Sequence, residues 1–148
     1  MKVKKRIFLL FVSVFLVGSF AQAQPAKKGV HPSGTAAAVS RGKIVYTQIC
    51  LACHMADGNG VPTMNPPLVN TEYVLGDKTR LIKIVLNGFK EDVQINGQSF
   101  SNNMTPHTDL KDQQIADVLT YVRKSFGNKA SRVTTLEVKK VRAANQVK

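Results

Sequence analysis

Cys50-Leu51-Ala52-Cys53-His54 sets two thiols three residues apart, with an imidazole immediately after them. Covalent attachment of a c-type haem requires this arrangement. Each thiol adds to one vinyl group of the porphyrin, a helical turn lets both sulfurs reach their vinyls, and the next residue swings its imidazole beneath the iron. One covalent haem c per chain is therefore expected, attached through Cys50 and Cys53, with His54 as the proximal iron ligand. Three other readings compete. A thioredoxin-like dithiol needs the pair between a strand and a helix of a βαβ unit, and no alternation of strands and helices surrounds it. A zinc site needs four ligands; beyond these three residues only His31 and His107 remain among His and Cys, at spacings unlike paired knuckles. A disulfide between the two cysteines would close too small a loop to stabilise the chain much.

Upstream of the motif, Lys2, Lys4, Lys5 and Arg6 precede an almost unbroken apolar run from Ile7 to Phe20, and Ala21-Gln22-Ala23 supplies small residues two apart. This is the pattern of a secretory signal peptide over residues 1–23, with cleavage after Ala23. The apolar run is shorter than the ~20 residues a spanning helix needs, so no transmembrane span is expected after cleavage; an uncleaved anchor is the competing reading. No cysteine lies near the cleavage point to carry a lipid. Export to the periplasm also suits the cysteine pair, which would face reducing conditions inside the cell.

The formal net charge of +12 is misleading for the mature chain. Four of the 21 basic residues lie in the leader, leaving 17 against 9 acidic. Residues 35–128 hold 9 basic against 8 acidic residues, whereas residues 129–148 hold 6 against 1. The basicity thus sits in the tails, and no face of interleaved cations and aromatics points to nucleic acid. Contact of the C-terminal tail with a redox partner or an anionic membrane surface is the functional reading, and plain solubility the bland one.

Residues 24–34, with Pro25, Lys27, Lys28, Gly29, Pro32 and Gly34, hold too little apolar surface to bury and read as a flexible lead-in. One domain over residues 35–128 is expected to follow. Residues 36–49 read as a first helix that delivers the motif, with Val39, Ile44, Val45 and Ile49 as candidate core positions. Asp57-Gly58-Asn59-Gly60, Pro62, Pro66 and Pro67 then forbid regular structure as far as Leu68. Residues 78–87 form a second helix, with Leu81, Ile82, Val85 and Leu86 as its apolar stripe and Gly88 as its stop. Val93 to Phe100 alternates apolar and polar about Asn96-Gly97, the strongest short-range hairpin signal. Residues 109–125 form a third helix, with Leu110, Ile115, Val118, Leu119 and Val122 inward and Arg123 and Lys124 in its last turn. In the basic extension, residues 129–148, Thr134 and Glu137 make a capping-box pattern. It predicts a short helix over 135–144, with Leu136, Val138 and Val141 on its apolar face and Lys139, Lys140 and Arg142 outside.

Gly42-Lys43, Tyr46, the Cys50–His54 motif, Asp57-Gly58-Asn59-Gly60, Pro66-Pro67-Leu68, Asn87-Gly88, Met104 and the run from Ile115 to Arg123 together resemble the class I cytochrome c family. The likeness covers about residues 36–128 and is nearest to the bacterial monohaem branch, which also occurs fused or coupled to periplasmic oxidoreductases. It implies an all-α cytochrome c fold: three core helices around a covalently bound haem, with a small β-hairpin before the axial methionine. It implies that Gly42 and Tyr46 pack against Val118 and Tyr121, and that the Pro66 carbonyl accepts a hydrogen bond from Nδ1 of His54. It places the distal ligand at Met104. Met55 is too close to His54 to reach the opposite face, Met64 falls in the proximal loop, and His107 stays a competitor. The family often has two prolines after this methionine; here Thr105 precedes Pro106.

A His54/Met104 iron has both axial positions filled and mainly changes oxidation state. The resemblance therefore implies a periplasmic single-electron carrier of a respiratory or oxidoreductase chain, not itself an enzyme, working between a redox-protein donor and acceptor. The alternatives are a peroxidase-like haem enzyme or gas sensor with a labile sixth ligand, and an electron-transfer subunit permanently bound to a redox enzyme.

Overall fold

A computed structural model describes residues 34–145. The leader and nearly all of the lead-in lie outside the described residues. Helix α1 (Gly34–Val45) opens on Ala36-Ala37-Ala38, residues that lose little side-chain entropy in a helix. Among the described residues it runs from Gly34, two residues ahead of the expected start. Tyr46–Cys50 then form a π-turn, and α2 (Leu51–His54) follows without a break. The first helix is thus longer than its apolar periodicity indicates, and one rod carries the chain from Gly34 to His54. A π-turn admits an extra residue, and such turns gather at functional sites.

The chain is then irregular to Asn70, as its prolines require, apart from one bridge between Val61 and Asn65. A short helix that the periodicity does not announce, α3 (Glu72–Leu75), is capped by Thr71 Oγ1, which accepts from Val74 N–H at 3.3 Å. Helix α4 (Lys78–Asn87) has the expected ends. Asp77 Oδ1 accepts from Arg80 N–H at 2.6 Å at its start, and Gly88 leaves it at φ +72°. Strands β1 (Val93–Ile95) and β2 (Gln98–Phe100) pair antiparallel, Val93 opposite Phe100 and Ile95 opposite Gln98. Asn96 and Gly97 between them have φ +52° and +79°, the left-handed pair that a tight hairpin of matching twist demands. Helix α5 (Asp112–Lys124) starts three residues later than expected; Leu110 is buried but precedes it, and Lys111 N–H is taken by the Gln114 side chain at 3.0 Å. Helix α6 (Thr135–Asn145) completes, among the described residues, a mostly helical fold with one two-stranded sheet.

Helices α1 and α5 cross at Gly42. A Cβ there would lie 2.0 Å from the Asp117 carbonyl oxygen and 2.8 Å from Tyr121 Cβ, so only glycine permits the approach. Beside the crossing, the Tyr46 ring sits 5.3 Å from that of Tyr121 and 5.4 Å from that of Phe126. The buried Asp117 carboxylate receives Arg41 Nε and Nη2 at 2.7 and 2.8 Å. Ile82 and Leu86 of α4, with Ile115, Val118 and Leu119 of α5, form the main core, and a smaller cluster of Val93, Ile95 and Phe100 lies under the hairpin.

The C-terminal segment belongs to the main core. Val133, Val138 and Val141 are buried in it, and Thr134 and Glu137 form the expected box, Thr134 N–H donating to Glu137 Oε2 at 2.7 Å and Glu137 N–H to Thr134 Oγ1 at 3.3 Å. Two side chains of this segment depart from expectation, as does Ile44 of α1, expected in the core but 59% exposed. Leu136 is 63% exposed, because two residues before Val138 is the opposite side of a helix. Arg142 turns inward, because four residues after Val138 is the same face. No helix among the described residues is long and apolar enough to cross a membrane.

Candidate haem site

The proximal wall begins where α2 ends. Met55 leaves the helix at φ +64°, and the Tyr46 hydroxyl donates to its carbonyl at 2.6 Å. Gly60 N–H then returns to the His54 carbonyl at 3.1 Å, folding the loop back under the imidazole. The result is a 3.0 Å contact between His54 Nδ1 and the Pro66 carbonyl oxygen. A carbonyl can only accept, so Nδ1 carries the proton and Nε2 keeps its lone pair. Burial lowers the His54 pKa, against the pull of the Pro66 carbonyl, and nearby His107 lowers it further. The net lowering favours the neutral imidazole, the form that binds a metal.

Above a cleft of about 300 Å³, the distal wall carries Met104. Phe89 N–H donates to the Met104 carbonyl at 3.0 Å and Met104 N–H to the Phe89 carbonyl at 2.8 Å, so two backbone bonds hold the methionine in place. Gly88 makes this approach possible, since a Cβ there would lie 2.3 Å from Met104 O. Asn102 closes one side: its N–H donates to Met64 O at 3.1 Å and its Nδ2 to Asn65 Oδ1 at 3.1 Å, joining the distal segment to the proximal loop. At the back, Asn128 Nδ2 donates to the carbonyls of Leu68 and Val122, at 2.9 and 2.8 Å, while its Oδ1 accepts from Asn70 N–H at 2.8 Å. In the sequence Asn128 reads only as part of a helix stop, and nothing local to Asn102 marks it.

Cys50, Cys53, His54, Pro66 and Met104 all line this one cleft, and so does His107. Met55 and Met64 do not; they are 44% and 48% exposed. Apolar side chains such as Val85, Val93, Ile95 and Leu119 make up most of the walls. The two cysteines are not joined by a disulfide. Burial, and then the neighbouring Cys53, push the Cys50 thiol up to about 11, the opposite of the lowered pKa that a redox dithiol needs. Among the described residues no three His, Cys, Asp or Glu side chains are grouped to hold a bare metal ion, which also disfavours zinc. Two thiols, an imidazole with a free Nε2 and a thioether around an apolar cleft are a donor set that fits an iron porphyrin.

Residues 39–126 match the family described as cytochrome c. The chain is 33% identical over 120 residues to "Cytochrome c-552" of Thermus thermophilus, an alignment spanning 74% of this chain and 80% of that protein. It is 34% identical over 128 residues to "Alcohol dehydrogenase (quinone), cytochrome c subunit" of Gluconacetobacter polyoxogenes, spanning 80% of this chain but 25% of that protein. To "Gluconate 2-dehydrogenase cytochrome c subunit" of Pantoea cypripedii it is 35% identical over 97 residues, 64% of this chain and 22% of that protein.

Proposed function

The chain belongs to the cytochrome c family and carries electrons on covalently bound haem c, and we propose that Cys50 and Cys53 hold that haem while His54 and Met104 ligate its iron. The observation that carries the assignment is that these four side chains line one apolar cleft. When bound, the group supplies a metal that gains or loses one electron. The residues do the rest. The Pro66 carbonyl orients the His54 ring and raises its basicity. As an iron ligand the Met104 thioether would favour the ferrous state and raise the potential, and the apolar walls would disfavour the extra ferric charge in the same direction. With His54 and Met104 both holding the iron, no site would stay open for oxygen, peroxide or substrate, and the chain would be a carrier and not an enzyme. Visible spectra of oxidised and reduced protein, with and without carbon monoxide, test this reading. A weak far-red iron–sulfur band in the ferric state and no prompt shift of the ferrous spectrum are expected. Rapid binding of carbon monoxide would instead favour the gas sensor or peroxidase-like enzyme.

The leader pattern of residues 1–23 supports export to the periplasm. There the donor would be a dehydrogenase or quinol-oxidising complex and the acceptor an oxidase or reductase. A second reading, a subunit that stays bound to one redox enzyme, is supported by the likeness to cytochrome subunits of dehydrogenases. Size-exclusion chromatography of the native complex separates the two: a mobile carrier elutes alone, a subunit with its enzyme.

A further inference from the structure

Between Met104 and the start of α5 the chain runs through an exposed stretch with no regular structure, and its distal end is tied down from an unexpected direction. Arg142, on α6, donates from Nη1 to the Thr108 carbonyl at 3.1 Å and from Nη2 to the Leu110 carbonyl at 2.5 Å, while Nε meets Asp112 Oδ1 at 2.6 Å. Only 24% of its side chain is exposed. The near end of the same stretch is held by the Phe89–Met104 bridge, and its middle by His107 N–H on the Val85 carbonyl at 2.9 Å. One turn further along α6, Asn145 Nδ2 donates to Asn87 Oδ1 at 2.9 Å, next to the Gly88-Phe89 step against which Met104 pairs. Helix α6 therefore grips both chain segments that determine where Met104 sits.

We infer that Arg142 is a positioning residue for the sixth iron ligand: its guanidinium fork fastens the Met104 segment through the Thr108 and Leu110 carbonyls, and so controls how readily the methionine leaves the iron. The inference rests on the reading of Met104 as that ligand. A planar fork suits this task, since one rigid group reaches two carbonyls and a carboxylate at once, whereas an ammonium is a single point charge. A loop freed at its far end keeps its backbone bonds at Phe89 and Val85 but is no longer fastened beyond His107, and a thioether is a weak enough ligand to respond.

The test compares holoproteins. Arg142→Lys keeps a positive charge near Asp112 but loses the double carbonyl contact; Arg142→Gln loses both; Asp112→Asn removes the ion pair and leaves the carbonyl contacts. In the two Arg142 variants the far-red iron–sulfur band is expected to fade on heating well before the helical signal does, and the ferrous protein to take up carbon monoxide about tenfold faster than the parent, a change equal to about 1.4 kcal/mol. Asp112→Asn is expected to lower the unfolding midpoint while band and uptake keep parental values. If the band in Arg142→Lys melts together with the helices and uptake matches the parent, Arg142 merely staples α6 to the domain and the inference is overturned. Met104→Ala keeps the two failures apart. If it spares the far-red band, the ligand assignment falls; if it abolishes the band while the Arg142 variants behave as the parent, only the positioning role falls.

Discussion

The imidazole of His54 and the carbonyl of Pro66, twelve residues apart in sequence, meet at 3.0 Å because Gly60 has no side chain. A Cβ at Gly60 would lie 2.2 Å from the Asn65 carbonyl oxygen and 2.7 Å from that of Pro66, the acceptor itself. The turn that orients the imidazole is thus built on a vacant position.

Gly60→Ala is expected to push the 61–66 loop away from the ring. The residue also sits at φ +68°, where a side chain alone costs about 1–2 kcal/mol, so with the clash added the loss should exceed roughly 2 kcal/mol. Gly127→Ala is the control, because its φ of +80° is similar but a Cβ there meets nothing within 4 Å. Denaturant unfolding should show the smaller loss for Gly127→Ala, and only Gly60→Ala should shift the reduction potential. Equal losses and unchanged potentials would show that the contact with Pro66 does not matter.

Attachment is tested by extraction. Acid acetone is expected to leave the haem on the protein, and mass spectrometry to give the chain plus one haem. Cys50→Ala and Cys53→Ala are expected to yield poorly matured, unstable protein. Fully extractable haem in the parent would end the covalent assignment.

For the distal ligand, Met104→Ala is expected to abolish the far-red band, lower the potential and admit carbon monoxide. Met64→Ala removes an exposed side chain that does not line the cleft, and His107→Ala removes one that does; neither is expected to reproduce the Met104 phenotype. A Met104-like result from His107→Ala would transfer the ligand role to the imidazole.

The basic extension calls for two separate experiments. Because Val133, Val138 and Val141 lie in the main core, truncation after Asn128 is expected to destabilise the whole protein, and Val138→Ala alone to cost about 2 kcal/mol in thermal or denaturant unfolding. Docking has to be probed on the surface instead. Lys139 and Lys140 are exposed, so replacing both by Gln should leave stability and spectrum unchanged. If these charges steer an acidic partner, electron transfer to that partner slows at low ionic strength and the difference disappears in salt. Rates equal to the parent across a salt series would leave the extension a structural role only.

What the sequence determined by itself is what neighbours along the chain can decide. The thiol–thiol–imidazole spacing names the cofactor, an apolar stripe with Gly88 as its stop marks α4, and Asn96-Gly97 sets the hairpin, each through bonds, dihedrals or spacings over a few positions. The family resemblance added Pro66 and Met104, whose places on the cleft no local pattern specifies. The tertiary structure alone decided the rest. Arg123 reads as a favourable charge in the last turn of α5, yet it is buried, its guanidinium donating to the carbonyls of Val74, Gly76 and Ser131. Asn128 ties Leu68 and Asn70 to α5, and Arg142 turns from the solvent face to the Thr108 and Leu110 carbonyls. Each of these side chains serves acceptors or donors that lie elsewhere in the sequence, mostly tens of residues away. Their demand for partners arises only once folding has stripped those groups of water, and no periodicity or cap signal along the chain records it.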